Sequence, residues 1–205
     1  MNITPSIINS LKSNNSIEID KITNAILIDK IDTLTCKYKH ELFPGLSDEE
    51  IQILVQSYKG DFPEELIEFL KITNGAWLFA RNIVIGGLQY DPCKYQRCKL
   101  PMGIRNIDCK RSKNMPNDWL FFAEYATRDL PNLLVCVDCS FKGNPKPVYV
   151  VLDNSTDIIK RWNCIDDWFS SEFERYEKMY TNGAYEIVEI ASGQVRNMYF
   201  PEIYK

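Results

Sequence analysis

The sequence is short of the groups on which most active sites are built. It has one histidine, His40, in a charged Lys39-His40-Glu41 context, so a Ser-His-Asp or Cys-His apparatus would depend on that residue alone. We interpret His40 as a surface histidine. Gly86-Gly87 lacks the Lys-Ser/Thr and the third glycine of a phosphate loop, and it favours a bend or bulge instead. These gaps disfavour an enzyme.

Long apolar runs are also missing. No stretch approaches the roughly 18 consecutive apolar residues that a membrane span requires, and the first residues lack a basic segment followed by an apolar one. We therefore expect a cytoplasmic protein with no membrane span. The net charge of −4 argues against general nucleic-acid binding, so we expect no direct contact with nucleic acid.

Paired cysteines of a disulfide framework are absent, because the seven cysteines are an odd number in irregular positions. Cys136-Val-Asp-Cys139 has CxxC spacing, but positions i and i+3 of a strand face opposite sides, and no helix follows to lower a thiol pKa. Cys93, Cys98 and Cys109 lack the short paired spacings of a zinc ribbon. We expect small core thiols, no metal and no cofactor, with zinc as the less favoured alternative.

The 205 residues, 45% hydrophobic and 25% charged, suffice for one substantial core. Ser47 and Glu50 have the spacing of a capping box, and Leu46 and Ile51 that of a hydrophobic staple, which predicts a helix. A second helix is predicted from Pro63, with an apolar face and a left-handed stop at Asn74-Gly75. The apolar face is formed by Phe62, Leu66, Phe69 and Leu70.

From Trp77 onward the apolar period becomes that of strands, and short turns between them favour antiparallel neighbours. The predicted strands are Trp77 to Ala80, Ile83 to Tyr90, Trp119 to Glu124, Leu133 to Asp138 and Pro147 to Leu152. A helix is predicted from Cys164 to Tyr180 and an edge strand from Tyr185 to Ile190. The segment from Asp91 to Lys113 carries seven basic against two acidic residues, a charge of +5 that leaves −9 elsewhere.

The N-terminal third gives weaker patterns. Met1 to Ser16 is rich in Asn and Ser and is predicted to be a loose tail, whose deletion should leave the thermal melt nearly unchanged. Ile17 to Leu34 has a mixed period that we interpret as helical.

An ordered set of motifs resembles the SMI1/KNR4 (SUKH) superfamily. The set begins with Phe43-Pro-Gly-Leu-Ser-Asp-Glu-Glu-Ile51 and Phe62-Pro-Glu-Glu-Leu-Ile-Glu-Phe-Leu-Lys-Ile-Thr-Asn-Gly-Ala76. It continues with Trp119 to Glu124, Leu134 to Asp138, Pro147 to Val150 and the helix from Cys164. The resemblance implies one domain over residues 42–180, with residues 1–41 as a tail with a possible extra helix and 181–205 as a C-terminal extension. The expected fold is a single α+β domain whose twisted antiparallel sheet is covered on one side by helices.

The resemblance implies a non-enzymatic bacterial immunity protein that binds and neutralises a cognate polymorphic toxin, often a nuclease. The alternative is a regulatory scaffold or protein-interaction module of the same family. Arg128-Asp129-Leu130-Pro131 replaces a turn that many members have as Gly-Asp, so that turn's role does not transfer. In either case the expected partner is a protein.

Aromatic and acidic residues near predicted strand ends suggest a partner-binding rim on the sheet face left free by the helices. Aromatic anchors with a charged border suit such a surface, whereas solvated strand ends and loop tips are the ordinary alternative, which also covers Asp138 and Asp153. The predicted partner-binding residues are Trp77, Tyr90, Asp118, Trp119, Glu124 and Asp129.

Overall fold

A computed structural model describes residues 3–31, 37–58, 61–89, 103–108, 110, 113–125, 133–153, 155–181, 187–189 and 195–197. The helices are α1 (Ile3–Asn14), α2 (Asp48–Gln56), α3 (Glu64–Ile72), α4 (Ile104–Asp108) and α5 (Ile165–Thr181). The first strands are β1 (Ile17–Ile19), β2 (Ile26–Lys30), β3 (Tyr38–Pro44), β4 (Thr73–Leu78) and β5 (Ile83–Ile85). The later strands are β6 (Trp119–Tyr125), β7 (Leu133–Asp138), β8 (Val148–Leu152), β9 (Ile158–Trp162), β10 (Ile187–Glu189) and β11 (Val195–Asn197).

Among the described residues, nine strands form one sheet in chain order from β1 to β9, and each strand is antiparallel to the next. Helices α1, α3 and α5 pack on one face of this sheet and contact one another, and α2 packs on α3. We call this the helical face and the opposite one the second face. The predicted α+β fold with an antiparallel sheet is confirmed.

The main core lies between the sheet and the helical layer. Trp168 of α5 meets Phe122 of β6 edge to face at 5.2 Å, and its indole N–H donates to the hydroxyl of Tyr125 at 3.0 Å. Because all three side chains are buried, this hydrogen bond satisfies polar atoms that would otherwise be costly inside the core. The contact fixes α5 across the centre of the sheet.

The local signals for α2 and α3 are confirmed. The Ser47 N–H donates to Glu50 Oε2 at 2.7 Å, the Glu50 N–H donates to Ser47 Oγ at 3.3 Å, and Leu46 and Ile51 are both buried. The predicted stop of α3 is wrong in position, because the helix ends at Ile72 and leads directly into β4.

Gly75 instead lies within β4 with a φ of +80°. A Cβ atom there would lie 2.7 Å from the carbonyl oxygen of Ile85, so the position requires glycine for two reasons. The neighbouring Asn74 side chain accepts from the Leu88 N–H at 2.6 Å and donates to its carbonyl at 2.9 Å. The Asn-Gly pair therefore joins β4 to the chain beyond β5, and it does not end a helix.

The N-terminal predictions are wrong. Residues that were expected to form a loose tail form α1, whose Ile8 and Leu11 are buried against the helical layer. The expected helix after residue 17 is the β1–β2 hairpin, turned by Asp20, which accepts from the N–H groups of Ile22 and Thr23. Its isoleucines have mixed spacing because several of them are exposed, and burial therefore does not impose a period.

The remaining strand predictions need adjusted bounds. β4 starts before Trp77 and ends at Leu78, β5 ends at Ile85, and β3 and β9 were not predicted. The strand expected near residue 187 is β10, which pairs with β11 in a separate hairpin. The predicted C-terminal helix is confirmed as α5.

Candidate partner-binding surface

The second face carries the residues that the sequence singled out. Strand register aligns Glu41, Trp77, Val84, Glu124 and Leu134 in one row across β3 to β7. A parallel row near the other end of the strands runs through Phe121, Cys136 and Tyr149. Trp119 lies two positions before Phe121 on β6, at the end of the face away from Trp77. The two tryptophans are about 15 Å apart along the strand direction.

Trp77 was expected to be an exposed aromatic anchor, but it is only 9% exposed. Its ring packs edge to face on Phe43 at 5.3 Å, and the Arg81 guanidinium lies 3.9 Å from its centroid. Arg81 also pairs with Glu41 at 3.2 Å, while burial raises the pKa of Glu41 and Arg81 opposes that rise. A cation that stacks on tryptophan and neutralises a desolvated carboxylate explains why this tryptophan is covered.

The turn between β4 and β5 puts Arg81 in that position. Phe79, Ala80 and Arg81 have φ angles of 52°, 54° and 69°, the left-handed region that non-glycine residues rarely adopt. Three successive residues in this region carry a strain of order 1–3 kcal/mol each. The buried Phe79 ring and the Arg81–Trp77 stack are the contacts that hold the turn in this conformation.

Glu124 was expected on an exposed acidic rim, but its side chain is only 5% exposed and forms an ion pair with Lys110. Lys110 belongs to the basic segment from residue 91 to 113, so part of that segment lies over the sheet. A carboxylate in such a place requires a paired cation, since an unpaired buried charge costs several kcal/mol. The expectation that Glu124 faces solvent is therefore corrected.

Asp118 and Trp119 lie where the sequence predicts an accessible surface. Asp118 is exposed, and Trp119 is partly buried against Tyr149, with ring centroids 5.2 Å apart. The Arg161 guanidinium lies 5.8 Å from the centroid of the Tyr149 ring, and the half-buried Asp138 is the register partner of Trp119. We call Asp118, Trp119, Asp138, Tyr149 and Arg161 the Trp119 patch.

Tyr149 and Arg161 were not predicted as site residues. Side chains alternate between the two faces of a strand, so Tyr149 of β8 faces the side opposite to Val148 and Val150. The sequence alone does not say which of the two faces is covered. Tyr90 and Asp129 lie outside the described residues, so their predicted roles stay predictions.

His40 is not a surface histidine. It is fully buried on β3, stacked on Phe173 at 5.9 Å and set edge to face on Phe79 at 4.8 Å. Its Nδ1 accepts from the Phe79 N–H at 3.5 Å, and its Nε2 lies 3.8 Å from a Glu177 oxygen. Burial lowers the pKa of His40, so the imidazole is neutral near pH 7 and packs as an aromatic ring.

The described cysteines behave as core thiols. Cys136 lies on the second face, while Cys139 packs against the main core, so the two sulfurs of the CxxC face different sides as predicted. Burial raises the pKa of Cys139 to about 11, and it also raises the pKa of Cys136 well above its ordinary value, so both are thiols at neutral pH. Cys164 accepts a hydrogen bond from the Asp167 N–H at the start of α5.

A metal centre does not emerge from the part of the chain that the structure describes, where no three or more His, Cys, Asp or Glu residues are grouped to hold an ion. Cys93, Cys98 and Cys109 lie outside that part, so the expected absence of metal stays a prediction. Across the same residues, no helix combines the length and the apolar character needed to cross a membrane.

Comparison with known proteins matches most of the chain to one family. The family model described as the SMI1 / KNR4 family (SUKH-1) matches residues 45–171, more than half of the chain. The match runs from the entry of α2 through β9 into α5, and it includes every residue of the Trp119 patch. No curated protein matches this sequence. The chain belongs to the SMI1/KNR4 family (SUKH-1).

Proposed function

We propose that this protein is a non-enzymatic immunity protein that binds and neutralises a cognate bacterial polymorphic toxin through the Trp119 patch. Membership of the SMI1/KNR4 family supports the broader part of this proposal, because its members are typically protein-interaction modules and generally not enzymes. Neutralisation of a toxin is the further step, and it depends on the surface and its charge.

The observation that carries the proposal is the Trp119–Tyr149 pair beside an exposed acid. Trp119 is partly accessible, and contact with Tyr149 holds its ring in place. A pre-positioned tryptophan loses little conformational entropy on binding, and such residues dominate the energetics of protein interfaces. Asp118 supplies the charged border that such an anchor has in known interfaces.

The charge distribution favours a basic partner. Outside the segment 91–113 the chain carries a charge of −9, and the patch itself contains two acids, Asp118 and Asp138, against one cation, Arg161. A toxin that acts on nucleic acid is basic at its active site, so an acidic surface accelerates encounter and competes with phosphate. Asp129 and Tyr90 stay part of the proposed surface. For Trp77 and Glu124 to join the contact, Arg81 and Lys110 have to move aside.

The test measures binding kinetics to a toxin candidate encoded beside this gene. Trp119→Ala is expected to raise the off-rate by about thirtyfold or more, the effect of losing an interface hot spot. Asp118→Lys is expected to lower the on-rate severalfold and to flatten its dependence on salt. Thermal melts of both variants establish that the fold is retained.

Glu174→Lys is the matched control for the charge change. Glu174 is an exposed carboxylate on α5, on the helical side, whose ion pair is with the equally exposed Lys178. This variant is expected to bind with unchanged on-rate and off-rate beyond a small long-range effect. If the wild-type chain neither forms a complex with any neighbouring toxin candidate nor protects cells from it, the scaffold alternative replaces this proposal.

A further inference from the structure

The first strand of the sheet has an unused edge. β1 pairs with β2 on one side, and in the part of the chain that the structure describes no strand pairs with its other side. Ile17 and Ile19 are 41% and 64% exposed, high values for isoleucines in a strand. The strand therefore offers apolar side chains and a free backbone edge at the same place.

The register shows which backbone groups are free. The Asp29 N–H donates to the Ser16 carbonyl at 3.2 Å, and the Asp20 N–H donates to the Ala25 carbonyl at 2.9 Å. Hydrogen-bonded pairs alternate along an antiparallel ladder, so Glu18 and Leu27 form the hydrogen-bonded pair between these two. Ile17 and Ile19 consequently direct their N–H and C=O groups away from β2.

The opposite edge of the sheet is protected in a way that β1 is not. β9 carries Lys160 and Arg161, and the pairing of β8 with β9 shifts register between Val150 and Val151. Basic residues and irregular pairing are devices that prevent other strands from adding to an edge. β1 reads Ile-Glu-Ile and has neither a lysine nor a proline.

A second copy of this chain is a poor occupant of the edge. Antiparallel pairing of two β1 strands through their free groups has three compact registers. One places Glu18 opposite Glu18, and another places Glu18 opposite Asp20, so both bring carboxylates face to face. The third aligns Ile17 with Ile17 and leaves Ile19 opposite Asn15. A strand with a cation at its centre has none of these defects.

We infer that β1 accepts an added strand from a protein partner, in which a lysine or arginine between two apolar residues lies opposite Glu18. Apolar side chains of the added strand, opposite Ile17 and Ile19, extend the cross-strand rows that contain the buried Ile28 and the half-buried Ile26. Strand addition takes affinity from the backbone and specificity from alternate side chains.

A hydrogen bond positions the Glu18 carboxylate for this contact. Its Oε2 accepts from the Tyr38 hydroxyl at 2.6 Å, which fixes the carboxylate, and a carboxylate has acceptor sites left for a cation. The β1–β2 hairpin lies outside the family match at residues 45–171, so this edge is additional to the matched region. The inference does not depend on toxin neutralisation.

The experiment titrates the full chain, labelled with ¹⁵N, with two synthetic β-hairpin peptides whose free strands read Val-Lys-Val and Val-Glu-Val. Amide resonances of Ile17 and Ile19 are expected to shift with the lysine peptide. The lysine peptide is expected to bind at least about twofold more tightly than the glutamate peptide, the scale of one cross-strand charge pair. In Glu18→Lys this preference is expected to reverse, an effect that unfolding cannot imitate.

Ile19→Pro removes an outward N–H and leaves the ladder to β2 intact, because proline is tolerated where an edge N–H faces solvent. This variant is expected to keep the wild-type melting temperature and to lose peptide binding at least about tenfold, since it lacks a backbone donor for the added strand. The inference is overturned if neither peptide shifts Ile17 and Ile19, or if Glu18→Lys keeps the wild-type preference. It is also overturned if the chain dimerises on its own and Ile19→Pro abolishes the dimer.

Discussion

At the scale of single residues, His40 shows how burial changes the role of a titratable group. Charges from three elements face it, Lys39 on its own strand, Glu177 on α5 and Asp29 on β2, and Phe79 and Phe173 enclose its ring. Desolvation is the largest influence, and it holds the histidine pKa below the ordinary value of 6.5. His40 is therefore a pH-sensitive core residue.

We predict that the contribution of His40 to stability falls as the pH falls from 7.5 to 5.5. The unfolded chain binds a proton at His40 near pH 6.5, whereas the native protein does so only at lower pH, so acid favours the unfolded state. The slope cannot exceed about 1.4 kcal/mol per pH unit for this one group. Contact with His40 and the ion pair with Lys39 lower the pKa of Glu177. Its titration therefore affects stability only below pH 5.5.

His40→Gln is the control, since glutamine does not titrate. The variant is expected to be about 1–2 kcal/mol less stable at pH 7.5, because it loses buried aromatic contacts. Its melting temperature is expected to change less between pH 7.5 and 5.5 than that of the wild type. Equal pH dependence in the two proteins, measured by thermal melts in matched buffers, contradicts a neutral buried His40.

The sequence predicts which side chains have the chemistry of an interface, but it does not predict which of them are covered by other residues. Trp77 and Glu124 have the chemistry of an interface, and the alternation of β4 and β6 puts both on the second face. Their cover comes from Arg81 and Lys110, which are 4 and 14 positions away in the chain. Pairings of this kind depend on a turn and a loop whose paths the local pattern does not determine.

At the scale of elements, α1 is the clearest addition to what the sequence predicts. Its backbone is tied to α5 by a hydrogen bond from the Thr4 N–H to Asp166 Oδ1 at 2.9 Å. At its other end the Lys12 ammonium donates to the Ile72 carbonyl at the end of α3, at 3.1 Å. Together with the fully buried Ile8, these contacts make α1 part of the main core.

We predict that Ile8→Ala destabilises the protein by about 2–4 kcal/mol, the usual result of truncating a fully buried isoleucine. This corresponds to a fall in melting temperature on the order of 5–10 °C for a chain of this size. Asn9→Ala, a change at the neighbouring exposed position, is expected to stay within about 0.5 kcal/mol of the wild type. Equal melting temperatures for Ile8→Ala and the wild type would restore the loose-tail interpretation.

The elements that the sequence predicted correctly are those with local signals. α2 is specified by a capping box within four residues, and α3 by an apolar stripe over nine. The β1–β2 hairpin and α1 have no such signal, because the polar positions of α1 are mostly Asn and Ser and several isoleucines of the hairpin are exposed. Their structure follows from packing, because α1 contacts α3 and α5, which are distant in sequence, and β2 pairs with β3.

At the scale of the whole molecule, the two faces of the sheet carry different features. The helical face holds the main core and is built largely from elements that the sequence predicts. The second face carries two smaller clusters, one around Trp77 and one under Trp119, with the Glu124–Lys110 pair in the row between β5 and β7. Family membership rests on the match over residues 45–171, whereas the proposed partner depends on the second face.

The most direct test of a neutralising binder is a titration of toxin activity with the purified protein. A neutralising binder is expected to give a linear loss of activity that ends at about one equivalent and does not change with the time of incubation, because a binder acts by occupancy. Trp119→Ala is expected to give a curved titration that reaches the same endpoint only at higher concentration. Inactivation that continues to grow with time at a small fraction of one equivalent would show turnover and would contradict neutralisation by binding.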